Sequence, residues 1–190
     1  MTPAIHNKKD TDIMDLHDFD TTTLYFDEAC PPRVDALIAQ AAANYASGEA
    51  ELPLLQAYFL APEQLVVLVG LYRFYFYQHR LAEADQVAAR SMAVSGERLG
   101  FPLDWRALGM AGLGSGIRHS MGLARFWLMS LKARAILALR EGRIDTARAM
   151  LAKLRELDEQ DRLGVQPLVE LLERAAEAGE LSSERLAEAA

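Results

Sequence analysis

The stretch "LKARAILALREGRIDTARAMLAKL", residues 131–154, contains two apolar patterns of helical period, one on each side of a glycine. Apolar residues recur at spacings of four and three in both halves, at Leu131, Ala135 and Ala138 and then at Ala147, Leu151 and Leu154. Residues at these spacings share one face of a helix, whereas the residues of a strand alternate between two faces. Gly142 lies between the halves, where a tight turn is needed. The stretch therefore predicts two helices that fold back on each other as a hairpin.

The same spacing occurs twice more, nearer the N-terminus. The first set consists of Val34, Ile38, Ala41, Tyr45, Ala50, Leu54 and Ala57. A shift of 34 positions carries that set onto a second one, which consists of Leu68, Tyr72, Tyr75, His79, Ala84, Ala88 and Ser91. Alternation of the kind seen in strands is confined to a few residues around Arg73. The sequence therefore predicts an all-α fold.

At these positions the chain resembles a tetratricopeptide repeat, a helix–turn–helix unit of about 34 residues. The resemblance covers about 31–64, 65–98 and 128–161, with residues 99–127 inserted before the third unit. His79 and Tyr45 stand where that family usually has its turn glycine. The resemblance implies antiparallel helical hairpins stacked as a short TPR-like α-solenoid, whose first helices line a concave groove. Residues 166–178 would then form a C-terminal capping helix over the last hairpin.

Composition divides the chain into three parts. Residues 1–28 are expected to form an acidic, mobile N-terminal lead, because acids outnumber bases there and apolar residues are few. Within it, the apolar segment "TLYF" at 23–26 is expected to dock on the helical body. Residues 29–180 are expected to form the TPR-like helical domain, and residues 181–190 a C-terminal tail.

Composition and charge also argue against several classes of protein. Hydrophobic residues make up 51% of the chain, which is typical of a folded protein, and the longest apolar run, residues 65–72, is too short to cross a bilayer. The N-terminus lacks the layout of a secretory signal and the chain has one cysteine, so a cytoplasmic protein is expected. The net charge of −7 argues against nucleic acid as a partner.

The run "LYRFYFYQHR", residues 71–80, carries five aromatic side chains and is the main candidate for a binding surface. Helical spacing assigns one of its faces to the core, namely Leu71, Tyr72 and Tyr75. The resemblance places another face in the concave groove, namely Val69, Arg73, Phe76 and Tyr77. Tyrosine and arginine are favoured at interfaces, because each combines a large contact area with a polar tip. The alternative is that residues 104–112 or 23–26 of the same chain cover this face.

A basic region lies further along the chain. Residues 106–156 hold ten Lys or Arg and only three acids, which could attract an acidic partner. Within this region, Lys132 and Arg140 are expected to contact that partner. Neighbouring acids on solvated helix faces are the alternative explanation of the same charges.

The glycine-rich segment 109–122 is a further candidate, predicted as a loop between helices. It lacks the spacing of a P-loop and the preceding strand of a dinucleotide-binding motif. Arg118 and His119 within it could nevertheless hold a phosphate or a carboxylate. The alternative function is therefore a small-molecule sensor or carrier, with its pocket between residues 71–80 and this loop.

No pattern in the sequence indicates catalysis or metal binding. The four histidines are scattered singly, and Cys30 has no histidine at motif spacing. We therefore expect no cofactor, no metal and no enzymatic activity. The expected function is a protein-interaction module, acting as an adaptor, scaffold or chaperone-like accessory factor for assembly of a larger complex. It would bind another protein's helix or extended peptide, and an open aromatic face could also support self-association.

Overall fold

The computed structural model describes residues 29–45, 48–174 and 176, and every regular element among them is helical. The helices are α1 (Pro32–Ala43), α2 (Glu51–Leu60), α3 (Leu65–Tyr77), α4 (Leu81–Leu99), α5 (Met110–His119), α6 (Met121–Arg140), α7 (Ile144–Leu157) and α8 (166–174). A short 3₁₀ turn at Trp105–Ala107 precedes α5. The all-α prediction is confirmed.

Helices that follow one another pack together in three pairs, α1 with α2, α3 with α4, and α6 with α7. Between the pairs, α2 packs against α3, and α4 packs extensively against α6. The insertion that contains α5 therefore does not separate the second pair from the third. Instead, α5 lies against α6 and α7.

Most of the positions that share the repeat register are buried in all three pairs, apart from Ile38 and the turn positions. Those with less than a tenth of their surface exposed are Val34, Ala41, Ala50, Leu54 and Ala57 in the first pair, Leu68, Tyr72, Tyr75, Ala84, Ala88 and Ser91 in the second, and Leu131, Ala135, Ala138, Ala147, Leu151 and Leu154 in the third. Small side chains at many of these positions let the paired helices approach closely. The periodic pattern in the sequence therefore corresponds to the buried faces of the helices.

The turns of the second and third pairs have the same backbone geometry. His79 and Gly142 both adopt left-handed conformations, with φ of 57° and 72°. The next residue in each turn donates its backbone N–H back across the turn, Arg80 to Tyr75 O at 2.9 Å and Arg143 to Ala138 O at 2.8 Å. Histidine is among the few non-glycine residues enriched in this conformation.

The glycine-rich segment 109–122 differs from its prediction as a loop, because most of it forms α5 and the start of α6. Gly116 is buried against the ring of Phe101, where an added Cβ would lie 2.4 Å from two ring carbons. A helix rich in glycine is intrinsically weak, so tertiary packing of this kind must stabilise it. Ser120 separates α5 from α6, and its hydroxyl accepts a hydrogen bond from the backbone N–H of Leu123 at 3.3 Å.

At the C-terminal end of the described chain, α8 lies beside α7. Val169 and Leu172 of α8 line one cavity together with Leu151 of α7, and Leu172 is buried. None of the helices in the described ranges is both long and apolar enough to span a membrane. The expected N-terminal lead, the docking of residues 23–26 and the expected tail at 181–190 lie outside the described residues.

Candidate partner-binding surface

The aromatic run of residues 71–80 forms the C-terminal half of α3 and the turn that follows it. Tyr72 and Tyr75 are buried, in agreement with the core face predicted from spacing. Phe76 is half-buried, and Tyr77 in the last turn is 50% exposed. The run thus divides into a core face and a face that reaches solvent.

Side chains from three helix ends meet around this exposed face. The rings of Tyr45 and Tyr77 lie edge to face, with centroids 6.4 Å apart, and those of Tyr77 and Phe76 are 5.9 Å apart. The guanidinium carbon of Arg140 lies 4.8 Å from the centroid of the Phe76 ring. We call these four residues the aromatic row. They form a continuous chain of contacts from one end of the surface to the other.

The helix packing explains why these four residues meet. Tyr45 follows α1, Phe76 and Tyr77 end α3, and Arg140 ends α6, so the row joins the C-terminal ends of the first helices of all three pairs. The Tyr45 hydroxyl donates a hydrogen bond to the backbone oxygen of Arg73 at 3.1 Å, which fixes the first ring against α3. Partial burial raises the pKa of Tyr45 above its ordinary value of 10.0, so the hydroxyl that donates this bond stays protonated into the alkaline range.

Arginine side chains accompany the rings of this surface. Arg140 is exposed, and its Nη2 donates to Nδ1 of His79 at 3.1 Å while the guanidinium stacks on Phe76. Arg73, one helical turn before Tyr77 on α3, is half-buried. A guanidinium stacked on an aromatic ring can still donate hydrogen bonds to an anion, because stacking occupies its flat face and the N–H groups lie along its edge. The arrangement can therefore hold a carboxylate beside an apolar group.

Two of the residues predicted for a partner lie in the interior. Val69 is 1% exposed, because α3 is covered on most of its circumference and leaves no room for a groove at this position. Lys132 is 2% exposed, and its ammonium donates to the backbone oxygen of Leu163 at 2.7 Å beneath the segment that joins α7 to α8. Because both side chains are buried, neither residue lies on an exposed binding surface, which corrects the prediction for both. Lys132 instead holds that connecting segment in place.

Arg118 and His119 are exposed in the last turn of α5. The cavity beside α5, of about 470 Å³, is lined by Met110, Ile117 and Met121 among others, but by no residue of 71–80. The cavity that includes Leu71 and Tyr75, of about 200 Å³, is lined by residues of α2, α3 and α4 and by none of 109–122. The sensor alternative predicted a pocket between residues 71–80 and 109–122. Neither of these cavities is lined by residues of both segments.

Tyr45, which belongs to the row, and His79, which contacts Arg140 in it, were not predicted as site residues. The signal was present in the repeat register, because both stand at the turn position that follows a first helix. Side chains at that position lie at one common end of the stacked helices. Among the described residues, no group of three or more His, Cys, Asp or Glu side chains could hold a metal ion.

Comparison with known proteins gives one informative relative. The chain is 48% identical over 165 residues to a protein of Azotobacter chroococcum mcd 1 described as "Uncharacterized 19.8 kDa protein in nifW 5'region". The alignment covers 86% of this chain and 92% of the relative. No protein-family model matches the chain, and no solved structure is significantly similar to it.

Proposed function

The chain belongs to the family of the 19.8 kDa Azotobacter protein, and we propose that it is a non-enzymatic protein-interaction module that binds a partner segment along the aromatic row. In this role it serves as an adaptor, scaffold or chaperone-like accessory factor in the assembly of a larger complex. Its partner is a peptide or helix with acidic and apolar side chains.

The proposed scaffold is a short TPR-like α-solenoid with α8 as its C-terminal cap. The turns at His79 and Gly142 are compatible with it, since both fall at the turn position of the repeat register, although each is the common left-handed helix ending that also follows α4 at Gly100. The order of packing, α2 on α3 and α4 on α6, is the order expected when hairpins stack in sequence. Leu172 of α8 is buried, as a capping helix requires.

The observation that carries the proposal is the continuity of the aromatic row across three helix ends. A row of rings on one hairpin could be explained by local packing alone. This row instead links Tyr45, Tyr77 and Arg140, which belong to three different hairpins, and half of the Tyr77 side chain remains exposed. Rigid helix ends that present aromatic and arginine side chains together are typical of interface centres.

The chemistry of the row determines the class of partner. Arg140 supplies an exposed cation with more N–H donors than the one bonded to His79, and the half-exposed Tyr77 supplies apolar ring area with a hydroxyl. An acidic residue next to an aliphatic or aromatic residue satisfies both features at once. Part of the affinity is then electrostatic, so raising the ionic strength should weaken binding.

The relative's description also suggests a first candidate partner. Its gene lies in the 5′ region of nifW, and proteins encoded side by side often act together. The product of the neighbouring nifW gene is therefore the first protein to test for binding to the row. An unrelated partner with an acidic, apolar segment fits the geometry equally well.

Affinity capture from the native cell tests the proposal with a matched pair of variants. Tyr77→Ala removes the centre of the row, and Leu103→Ala removes a side chain that is 99% exposed and outside the row. Both variants should keep the circular dichroism spectrum of the wild type. Leu103→Ala should also keep its melting temperature, whereas Tyr77→Ala removes ring contacts with Tyr45 and Phe76 and should lower it by about 2–4 °C.

We expect wild type and Leu103→Ala to retain the same partner, and Tyr77→Ala to lose about nine-tenths of it, corresponding to roughly 1.4 kcal/mol. Capture of the same proteins in equal amounts by all three chains would refute a role for the row. Mass spectrometry of the specific band then shows whether the nifW product is present.

A further inference from the structure

A cavity of about 430 Å³ lies between α7 and α8, on a surface that the aromatic row does not reach. Its apolar part consists of Leu151 of α7 and of Val169 and Leu172 of α8. The other residues that line it are Arg148, Ala152, Arg155, Glu173 and Ala176. The cavity therefore combines an apolar floor with charged side chains at its edge.

Arginine predominates among the charged side chains of this cavity. Arg148 and Arg155 lie seven residues apart, on one face of α7, and both are exposed. Arg148 lies 3.9 Å from the fully exposed carboxylate of Asp145, and no acid among the described residues forms an ion pair with Arg155. Glu173 is the one carboxylate that lines the cavity. Two guanidinium groups against one carboxylate leave the edge of the cavity positive, which favours an acidic occupant.

The stretch of chain that follows Ala176 has the complementary composition. Residues 177–190 contain one arginine, Arg185, and four acids, namely Glu177, Glu180, Glu184 and Glu188. Leu181 and Leu186 are the two large apolar side chains of this stretch. They stand before and after Ser182 at the spacing of a hydrophobic staple, a pattern that is typical of the start of a helix. The sequence thus supplies acidic and apolar groups together.

The point at which this stretch begins favours it over other occupants. Ala176 itself lines the cavity, so residue 177 starts at the edge of the site. Fourteen residues can span up to about 46 Å, whereas the 14 residues of α7 make a helix about 21 Å long. Gly179 provides a position at which the chain can reverse its direction. A segment tethered in this way has a local concentration in the millimolar range, which a separate molecule would have to exceed.

We propose that residues 177–190 of this chain dock in the cavity between α7 and α8. Their leucines pack on its apolar floor, and their glutamates face Arg148 and Arg155. The docked segment extends the cap that α8 forms and seals the last hairpin, as the end of a stack of helical hairpins requires. This contact involves no residue of the aromatic row and does not depend on the partner that the row binds.

Crosslinking between engineered cysteines in the full chain tests this docking. In a Cys30→Ser background, Ala189→Cys is combined either with Ala152→Cys in the cavity or with Leu171→Cys, which is exposed on α8 outside the cavity. We expect a short bis-maleimide to link positions 152 and 189 within one chain at least about tenfold faster than positions 171 and 189. Equal rates for the two pairs, or links that join two chains in place of one, would overturn the proposal.

Charge reversal tests whether the arginines of the cavity hold the segment. Arg148→Glu together with Arg155→Glu should slow the link between positions 152 and 189 at least about fivefold at low salt, because repulsion replaces attraction. Arg33→Glu together with Arg118→Glu, at two exposed arginines outside the cavity, should leave the rate unchanged. The proposal fails if the two double variants react at the same rate.

Discussion

Asp85 of α4 accepts a hydrogen bond from Nε of Arg134 in α6 at 2.7 Å, and so joins the second helical pair to the third. Its other carboxylate oxygen lies 3.1 Å from Nη2 of Arg143, which precedes α7. The side chains of Asp85 and Arg134 are 18% and 21% exposed, so water screens this pair less than a surface ion pair. One carboxylate therefore holds two hairpins in register across the insertion that contains α5.

A double-mutant cycle on Asp85 and Arg134 measures this link. We expect Asp85→Ala and Arg134→Ala each to lower the free energy of unfolding, with a coupling energy of about 1–2 kcal/mol. The exposed pair Asp145 and Arg148, which is 3.9 Å apart, serves as the control and should couple by less than about 0.5 kcal/mol. Equal coupling in the two pairs, measured by urea unfolding, would show that Asp85 does not join the hairpins.

Substitutions at Gly142 should destabilise the protein through backbone strain and not through steric overlap. An added Cβ there would meet nothing within 4 Å, but φ is +72°. Gly142→Ala should therefore destabilise the protein by about 1 kcal/mol, and Gly142→Val by more, through backbone strain alone. Gly142→Asn should cost the least, because asparagine tolerates the left-handed region. If chemical denaturation ranks asparagine and valine as equally costly, strain is not the cause.

Gly116 and Gly114 form a matched pair on α5. Gly116→Ala should destabilise by about 1–3 kcal/mol, since its Cβ would overlap the ring of Phe101 at 2.4 Å. Gly114→Ala should be neutral or stabilise by up to about 1 kcal/mol, because its nearest neighbour is the end of Arg118 at 3.6 Å and alanine favours a helix. Thermal unfolding of both variants checks this prediction, which fails if both substitutions have the same sign and size.

Cys30 should react slowly with alkylating reagents. Burial, a hydrogen bond to Asp35 and the charge of that carboxylate raise the pKa of its thiol from 9.0 to about 11. The thiolate fraction at pH 8 is therefore about a hundredfold below that of an ordinary cysteine. Because the folded pKa is raised, this group stabilises the fold below pH 9, and its contribution is lost as pH rises toward 11.

The rate of iodoacetamide labelling as a function of pH tests this prediction on the chain's single thiol. The rate should rise until about pH 11, and Asp35→Ala should shift the curve to lower pH by removing the hydrogen bond and the charge. The same chain in denaturant provides the reference rate. Equal rates for folded and denatured protein at pH 8 would contradict the raised pKa.

Local patterns predicted the parts of this structure that depend on local packing. The spacing of Leu71, Tyr72 and Tyr75 identified the buried face of α3, and the position of Gly142 identified a turn. Both follow from helical period and from the conformational freedom of glycine, which neighbouring residues determine. Arg140 was predicted as a site residue from the charge of its region, and Phe76 from the repeat register. The stacking of Arg140 on Phe76 becomes visible only in the folded chain.

Features that depend on distant segments could not be predicted in the same way. Helix α5 forms from a glycine-rich sequence because Phe101 packs against Gly116, a contact between residues with no periodic relation. Lysine is usually found at the surface, yet Lys132 is buried and its ammonium donates to the carbonyl of Leu163. A charged residue can be buried only when a partner of this kind exists, and the sequence does not show that partner.

Photo-crosslinking at the aromatic row tests the central claim most directly. A photoreactive phenylalanine derivative in place of Tyr77 should form a discrete adduct with another protein when cells expressing the chain are irradiated. The same derivative in place of Leu103, which is also exposed, should give none. An adduct at position 77 that disappears with Arg140→Ala is the result we predict. Absence of any adduct at 77, or the same adducts from both positions, would contradict the account.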